Sequence, residues 1–419
     1  MQKTTTEFDL IVIGGGAAGF FGAIIAAAKK TGLSILILEK TSKLLSKVKV
    51  SGGGRCNVTH NCFEATPLAK HYPRGQKELK ALFRKFQAKD IVAWFESKNV
   101  KLKAEDDGRM FPITDNSQTI IDCFLNEAER NKINIRLNSE VTKINSINKG
   151  FHIQVGKDEV YIAKKILIAT GGYNNLNSYQ WIAKTSHPII NPIPSLFTFN
   201  DTEKKFTDLM GIAVANAEVK IAGTKLSEQG PVLLTHWGLS GPAVIKLSAW
   251  AADYLHGLHY TFTALVNWTG NTTEDELRSL FSNMKEKHGK QKVLTNPMFS
   301  IPQRLWQRLC ELAEIQEAKI WAELPQKNMN KLLEHLIRCP FLIKGKTTFK
   351  EEFVTCGGVD LQSIDLETMQ SKTMKGLYFA GEVLDIDGET GGFNFQSAWT
   401  TAWVAAQHIS SQYNRSDNF

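Results

Sequence analysis

The chain has 419 residues, 42% of them hydrophobic and 22% charged, and a formal net charge of +8. That length suits two or three domains around a sizeable core, and the composition is that of an ordinary soluble globular protein. No apolar run approaches the roughly 18–20 residues that span a bilayer, and Met1 to Glu7 is polar with no signal-peptide core, so a cytoplasmic location away from membranes is expected.

The first predicted element is a strand, Asp9-Leu10-Ile11-Val12-Ile13, running directly into Gly14-Gly15-Gly16-Ala17-Ala18-Gly19. Gly14, Gly16 and Gly19 satisfy G-x-G-x-x-G. A second apolar run, Ser34 to Leu38, ends on Glu39, 20 residues beyond Gly19. Strand, glycine turn, helix, strand and acid in this register describe a dinucleotide-binding βαβ unit. Gly14 permits the tight turn, Gly16 lets amides approach a pyrophosphate, and Gly19 lets the helix pack close to the strand. The amides of Ala17 and Ala18 open the helix, so its positive end faces the phosphates. Glu39 is the acceptor for an adenosine ribose.

A polar, glycine-rich stretch follows from Lys47 to His60. Between Lys70 and Lys103 there are ten Lys and Arg against three acids, a local excess of seven. Leu79, Leu82, Phe83 and Phe86 recur at helical spacing there, so the segment reads as amphipathic helix with a basic outer face. Either it is a solvated lysine-rich surface or it is an electrostatic contact for a phosphate-rich polymer. Ser117 to Asn131 is predicted helical, and Ile133–Ile147 and Gly150–Val160 read as a small antiparallel set. Lys165 to Gly172 is a buried strand ending in a glycine turn.

Pro188, Pro192 and Pro194 mark a predicted linker. Beyond it the texture changes to strand-like alternation (Phe197–Phe199, Ala213–Ile221, Tyr260–Val266), a helix at Glu274–Lys287, and short helices around 302–322 and 326–338. The expected organisation is a nucleotide domain split between residues 1–190 and 347–419, with a β-rich and partly helical insertion at 191–346. Six cysteines, at 56, 62, 123, 310, 339 and 356, include no C-x-x-C pair, which argues against a redox dithiol or a structural zinc site.

The last 70 residues decide between NAD and FAD. An NAD enzyme needs one Rossmann unit and a substrate domain. Two-domain flavoproteins of the glutathione-reductase type close the site with a late strand, a Gly-acid pair and a helix. Here Leu377 to Ala380 is that strand, followed by Gly381-Glu382-Val383-Leu384-Asp385 and by Gly391-Gly392-Phe393-Asn394 ahead of a helix to about Ile409. Glu382 or Asp385 is the candidate ribityl ligand, and the helix dipole would favour negative charge on a reduced flavin ring. The fold class expected is therefore α/β, a discontinuous Rossmann-like FAD-binding domain of glutathione-reductase type carrying an inserted β-rich domain and a small helical part.

At this point the residues resemble a known family, the BaiN/RdsA-type flavoproteins with an inserted domain. The resemblance rests on Ile13 to Gly19, Ser51-Gly52-Gly53-Gly54-Arg55-Cys56-Asn57-Val58-Thr59, Gly108 to Pro112, Ala169 to Gly172, Leu234 to Pro242, Gly357 to Val359, Ala380 to Asp385 and Gly391 to Asn394. It spans residue 8 to about 407. One departure is Lys49, charged where the family is usually apolar. The resemblance implies an FAD-dependent oxidoreductase in three parts. Members are linked to reduction of a uridine in large-subunit ribosomal RNA to dihydrouridine, others to reduction of unsaturated bile-acid intermediates. Both reactions add a flavin hydride to an activated C=C, with a proton from a nearby acid.

Several residues are candidates for these roles. Lys47 and Arg55 flank the glycine-rich loop and suit pyrophosphate or flavin charge, with structural salt bridging as the alternative. Cys56 and His236 are the candidate proton donors; a packed thiol and a loop-stabilising histidine are the respective alternatives. Asn57 and Arg109 suit flavin or substrate carbonyls. Thr170, Gly171 and Gly172 leave backbone room near the cofactor, and Lys40 and Val141 are counted among its contacts. No second G-x-G-x-x-G is present, so NAD(P)H as electron donor would stack transiently on the flavin or act through a separate reductase. The basic segment favours ribosomal RNA as substrate. The alternatives are a small-molecule enoate reductase or amine oxidase on the same scaffold, and a flavin-containing RNA-binding or ribosome-assembly factor.

Overall fold

The structure, a computed structural model, describes residues 6–347 and 354–413. Most of the polar start Met1 to Glu7, and the segment just after the expected boundary at residue 346, lie outside the described residues. The chain forms two compact units, Met1–Ser195 with Lys350–Phe419, and Leu196–Phe349.

The first unit is built on five parallel strands in the order Leu377–Phe379, Glu159–Ile168, Glu7–Ile13, Ile35–Leu38 and Asn134–Arg136. Parallel strands covered on both faces need continuous apolar runs rather than alternation. Leu10, Ile11, Val12 and Ile37 are accordingly fully buried. The register pairs Val12 with both Ile37 and Leu167, and Leu167 with Tyr378. Helix Ala17–Lys29 is buried nearly all round from Ala18 to Ala27, because it lies against both the sheet and helix Phe393–Ser411. Ser410 Oγ donates to the Ala26 carbonyl across that contact (3.2 Å). Trp399, fully buried, sits edge-on to Phe21 at 5.6 Å and donates its indole N–H to the Val58 carbonyl (3.0 Å). Burying a side chain of this size stabilises by about 1.5–3 kcal/mol or more.

Three differences from the sequence reading have physical causes. The strands Val141–Ile147, Gly150–Val155 and Glu159–Ile168 do form an antiparallel meander, but Asn134–Arg136 leaves it to pair in parallel with Ile35–Leu38. The proline-rich stretch is no linker: Ile189–Ser195 pairs antiparallel with Val354–Val359, and the register shifts between Ile190 and Ile193, at Pro192. A proline lacks a ladder donor, so a strand tolerates it at a bulge or an edge. The basic segment is not one helix but Gln76–Leu82, Ala88–Ser97 and a strand at Leu102–Ala104. Gly75 starts the first helix in the left-handed conformation, and the Asp90 carboxylate accepts from the Gln87 N–H (2.8 Å) at the start of the second. The apolar stripe survives these breaks: Leu79, Phe83, Ile91 and Phe95 are fully buried. Lys49 is exposed, so its charge disturbs no core.

The second unit is a closed six-stranded barrel, in the order Thr198–Asp201, Gly238–Ser240, Ser227–Leu234, Ala213–Ile221, Thr261–Asn267 and Cys339–Thr347. Closure leaves no free sheet edge. Helices Glu274–Lys287, Gln303–Leu312 and Gln326–Ile337 pack with it around Trp268, Trp306 and Trp321. Thr273 and Glu276 form the capping box that starts the first of these helices. Among the described residues no helix is long and apolar enough to cross a membrane.

Helix and strand approach closely at Gly19, where an added Cβ would run into the Gly14 carbonyl oxygen. Gly19→Ala is expected to lower unfolding free energy by about 1–3 kcal/mol, the usual cost of overpacking, read from urea denaturation.

Candidate functional site

The carboxyl ends of the parallel strands converge on one place. Strand Glu7–Ile13 delivers the glycine turn, and Gly14 N–H donates to the Leu38 carbonyl at the end of the next strand (2.8 Å). Gly14 has φ +115° and presses against Ala169 and Thr170, leaving no space for a side chain. Gly16 differs: its φ of −95° suits any residue, and a Cβ there would meet nothing within 4 Å. The space beside Gly16 is open to the first-turn amides of helix Ala17–Lys29, which carries no side-chain cap. Such amides lack intrahelical acceptors and present the positive helix end. Glu39 lies against the same turn. One carboxylate oxygen accepts from Gly15 N–H (2.9 Å), the other from the Thr41 N–H and hydroxyl (2.8 Å each). Ser139 N–H donates to the Glu39 carbonyl (2.8 Å), which brings the strand beginning at buried Val141 to this side. Lys40 is exposed, its ammonium 5.0 Å from the centroid of the Tyr173 ring.

The carboxy-terminal segment enters from the other side. A Cβ on Gly381 would come within 2.9 Å of Ala18 Cβ, so this glycine sits on the first turn of the first helix. Its N–H donates to Thr401 Oγ1 (2.9 Å). Glu382 pairs with Lys47 (2.6 Å) and accepts from Thr355 N–H (3.3 Å). Gly172 packs against Thr355 and Glu382, and Gly171 lies at the edge of the same carboxylate. Asp385 accepts from Gly357 N–H (3.0 Å). Lys47 belongs to the short helix Ser46–Gly54, anchored where Leu45 N–H donates to the Gly15 carbonyl (2.9 Å).

The glycine-rich loop and the last helix form the third side. Asn57 bridges them, its amide donating to the Thr59 carbonyl and its carbonyl accepting from Gly392 N–H (3.0 Å each). Asn394 closes the preceding loop by exchanging two hydrogen bonds with Gly388 (2.9 Å each). Phe393 is buried, with the His71 ring centred 4.2 Å and the His60 ring 4.8 Å from it, both nearly parallel to it. His60 donates from Nε2 to the Asp107 carbonyl (3.1 Å), and burial holds its imidazole below the ordinary histidine range. Its Nδ1 is buried without a hydrogen-bond partner. His71 Nδ1 bonds Glu389 (3.0 Å).

Other candidates fall elsewhere. Arg55 is held by Glu105 (2.5 Å) and Asp115 (3.6 Å), and Arg109 by Glu105 (3.0 Å) and Asp107 (2.7 Å). Both guanidinium groups lie over the Phe111 ring. Their charges are thus neutralised by neighbouring carboxylates, the structural alternative. Cys56 is fully buried, and burial pushes its thiol up to about 12. With no exposed atom it matches the packed-thiol alternative to the acid role. His236 is exposed at the tip of a turn in the second unit, edge-on to Trp237 at 4.4 Å. The pairs His71–Glu389 and Arg74–Asp387 escape sequence reading. Their members are 318 and 313 residues apart, and no local signal joins them.

These residues fit a bound dinucleotide on their own evidence. The open space at Gly16 beside uncapped amides, the acid at Glu39 and the buried unpaired Thr355 Oγ1 and His60 Nδ1 are what such a group would engage. Gly16→Val meets no protein atom at its Cβ and suits the backbone. It is expected to leave far-UV circular dichroism unchanged while abolishing copurifying flavin absorbance. Retention of flavin would remove Gly16 from the phosphate role.

Residues 8–408 match the family described as HI0933-like protein Rossmann domain. The chain is 30% identical over 416 residues to the ribosomal RNA dihydrouridine synthase of Escherichia coli strain K12, covering 96% of this chain and 98% of that protein. It is 24% identical over 407 residues to the 3-dehydro-bile acid delta(4,6)-reductase of Clostridium scindens, covering 94% and 97%. Among solved structures, a 3-ketosteroid delta1-dehydrogenase from Sterolibacterium denitrificans superposes with TM-score 0.53 at 12% identity, over 97% of this chain and 100% of that one. A 3-ketosteroid-delta4-(5alpha)-dehydrogenase from Rhodococcus jostii RHA1 gives 0.52 at 13%, over 97% and 98%. These two likenesses describe the fold. By the match across nearly its whole length, the chain belongs to the HI0933-like Rossmann-domain family, the BaiN/RdsA-type flavoproteins that its motifs resemble.

Proposed function

We propose that this FAD-dependent oxidoreductase reduces a uridine of large-subunit ribosomal RNA to dihydrouridine in the cytoplasm. The observation that carries this reading is the 30% identity to a ribosomal RNA dihydrouridine synthase over 96% of the chain. When bound and reduced, FAD supplies the hydride for an activated C=C. The protein's own residues do the rest. The amides of Ala17 and Ala18, with Gly16 leaving room, offset pyrophosphate charge. Glu39 accepts from the adenosine ribose, and Glu382 or Asp385 from the ribityl chain, with Lys47 holding Glu382 in place. The positive end of helix Phe393–Ser411 favours charge accumulating on the reduced ring. NAD(P)H is the electron donor to test first.

The outer face of the basic segment supports a polyanionic substrate. Arg74, Lys85, Lys98 and Lys103 are ion-paired. Lys70, Lys77, Lys80, Arg84, Lys89 and Lys101 have no carboxylate within ion-pair distance among the described residues. Cations left unpaired on a surface are free to displace counterions from a nucleic-acid backbone. The second reading, reduction of a small unsaturated acid derivative, rests on the Clostridium scindens relative.

Changing Lys77, Lys80 and Arg84 together to Glu is expected to weaken RNA binding and reduce its log–log salt slope by about three, roughly one per lost phosphate contact. An unchanged affinity would return the segment to solvated surface. Dihydrouridine mapping on ribosomal RNA from cells with and without the gene tests the function directly. One site is expected to lose its modification on deletion and regain it with the wild-type gene; an unchanged map would favour the small-molecule reading.

A further inference from the structure

Adding hydrogen across a C=C requires a hydride and a proton, and the source of the proton is the open question at this site. The geometry points to His71 as the catalytic acid, with Glu389 as its positioning residue. This rests on the flavin reading above, and specifically on the placement of the Gly392–Phe393 helix start beside the flavin ring. Three observations carry it.

The first is position. The His71 ring lies 4.2 Å, centroid to centroid, from that of Phe393, the first residue of helix Phe393–Ser411. The second is orientation. Nδ1 of His71 bonds Glu389 Oε2 at 3.0 Å, and the Glu389 side chain is only 6% exposed, so the carboxylate is a fixed partner. With Nδ1–H given to a buried carboxylate, Nε2 is the nitrogen left to face a reactant, the usual arrangement of an oriented histidine. The third is access. His71 keeps 33% of its side-chain surface exposed, so it can be reprotonated from water, whereas Cys56 is fully enclosed.

The step balances as follows. With FAD bound and reduced, the electron pair would arrive as its hydride at one carbon of the substrate C=C, whose π bond breaks. The electrons arriving at the other carbon take the proton as the Nε2–H bond of His71 breaks and a C–H bond forms. The imidazole is left neutral and regains its proton from water; flavin is left oxidised and is reduced again by an external two-electron donor such as NAD(P)H.

Other titratable groups face this ring. His60 lies 5.9 Å away, centroid to centroid, and its Nε2 is committed to the Asp107 carbonyl. Tyr72 gives its hydroxyl to the Phe393 carbonyl (2.6 Å), and burial raises its pKa well above the ordinary tyrosine range. The Tyr72 hydroxyl is committed, and the unpartnered Nδ1 of His60 is buried, so neither is recharged from water as His71 is.

The test uses full-length, FAD-loaded protein with unmodified ribosomal RNA, and with a simple α,β-unsaturated ketone as a second acceptor. Dithionite reduces the flavin, and its reoxidation by each acceptor is followed anaerobically against pH. For wild type the rate is expected to fall toward alkaline pH. In His71→Asn, flavin content and reduction by dithionite should match wild type, while reoxidation slows about 10²-fold or more and loses that alkaline limb. Glu389→Gln, which keeps size and hydrogen bonding, should retain flavin and displace the limb; it carries the test if His71→Asn releases flavin. His60→Asn, compared at equal flavin content, should keep the limb. A wild-type rate and limb in His71→Asn would overturn the assignment. So would an unmoved limb in Glu389→Gln, or disappearance of the limb in His60→Asn or His236→Ala. If wild type is reoxidised by the enone but not by RNA, the uridine reading fails while the His71 assignment is still decided by the variants.

Discussion

The parallel pairing of Leu377–Phe379 with Glu159–Ile168 is the constraint on which the site depends. A three-residue strand from the end of the chain docks beside one laid down some two hundred positions earlier. It does so because Ile166, Leu167 and Ile168 present a fully buried apolar edge that Leu377, Tyr378 and Phe379 complete. Everything beyond the strand ends follows from that register. Ile13 leads into the glycine turn, Leu38 into Glu39, Ile168 into Thr170 to Gly172, and Phe379 into Gly381 and Glu382. Ligands of open α/β sheets sit beyond the carboxyl ends of strands, and here four such ends supply the candidate groups. Without the last pairing, Gly381 would not rest on Ala18 and the second half of the site would be missing.

Charge is handled differently inside and outside this site. The two arginines most suggestive in sequence, Arg55 and Arg109, are matched by Glu105, Asp107 and Asp115. Being partly exposed, these pairs add little stability, but they do cancel long-range attraction for anions. The positive groups that remain near the glycine turn are exposed Lys40 and the first-turn amides of two helices, the amides fixed by the fold and needing no reorganisation to meet a phosphate or a developing negative charge. Lys47 contributes by restraining Glu382 rather than as a free cation. The uncompensated cations lie instead on and beside helices Gln76–Leu82 and Ala88–Ser97, where solvent screening suits steering of a polymer better than tight binding of a small anion.

How much was legible in the sequence follows from the range of the interactions. The βαβ unit was readable because its turn, helix, strand and acid all lie between Asp9 and Glu39, and each obeys a local rule of sterics or dipole. Helices 118–130 and 274–287 were readable from periodicity. The proline stretch misled because the bulge that accommodates Pro192 exists only once Val354–Val359 returns to pair with it. The basic segment misled in the opposite sense, since its apolar stripe is continuous while its backbone is interrupted at Gly75 and Gln87. The His71–Glu389 and Arg74–Asp387 pairs had no local signature at all. Each joins the region just after residue 70 to the loop before the last helix, a juxtaposition only the closed fold creates.

Cys56 shows why a residue type in a telling motif is not yet a chemical role. It adopts φ +65°, a conformation unfavourable for a residue with a Cβ, and is held there by its N–H on the Ser51 carbonyl (2.9 Å). At that position the thiol has no surface left exposed. The loop turns sharply there, and the turn sets Asn57 to bridge to Gly392. The cysteine therefore acts on the site through packing, by fixing the approach of loop and helix, and not through its proton. An acid that must be recharged once per turnover needs a path to water and a partner that orients it. Cys56 fails the first requirement, whereas the ring of His71, stacked on Phe393 and tied to Glu389, meets both.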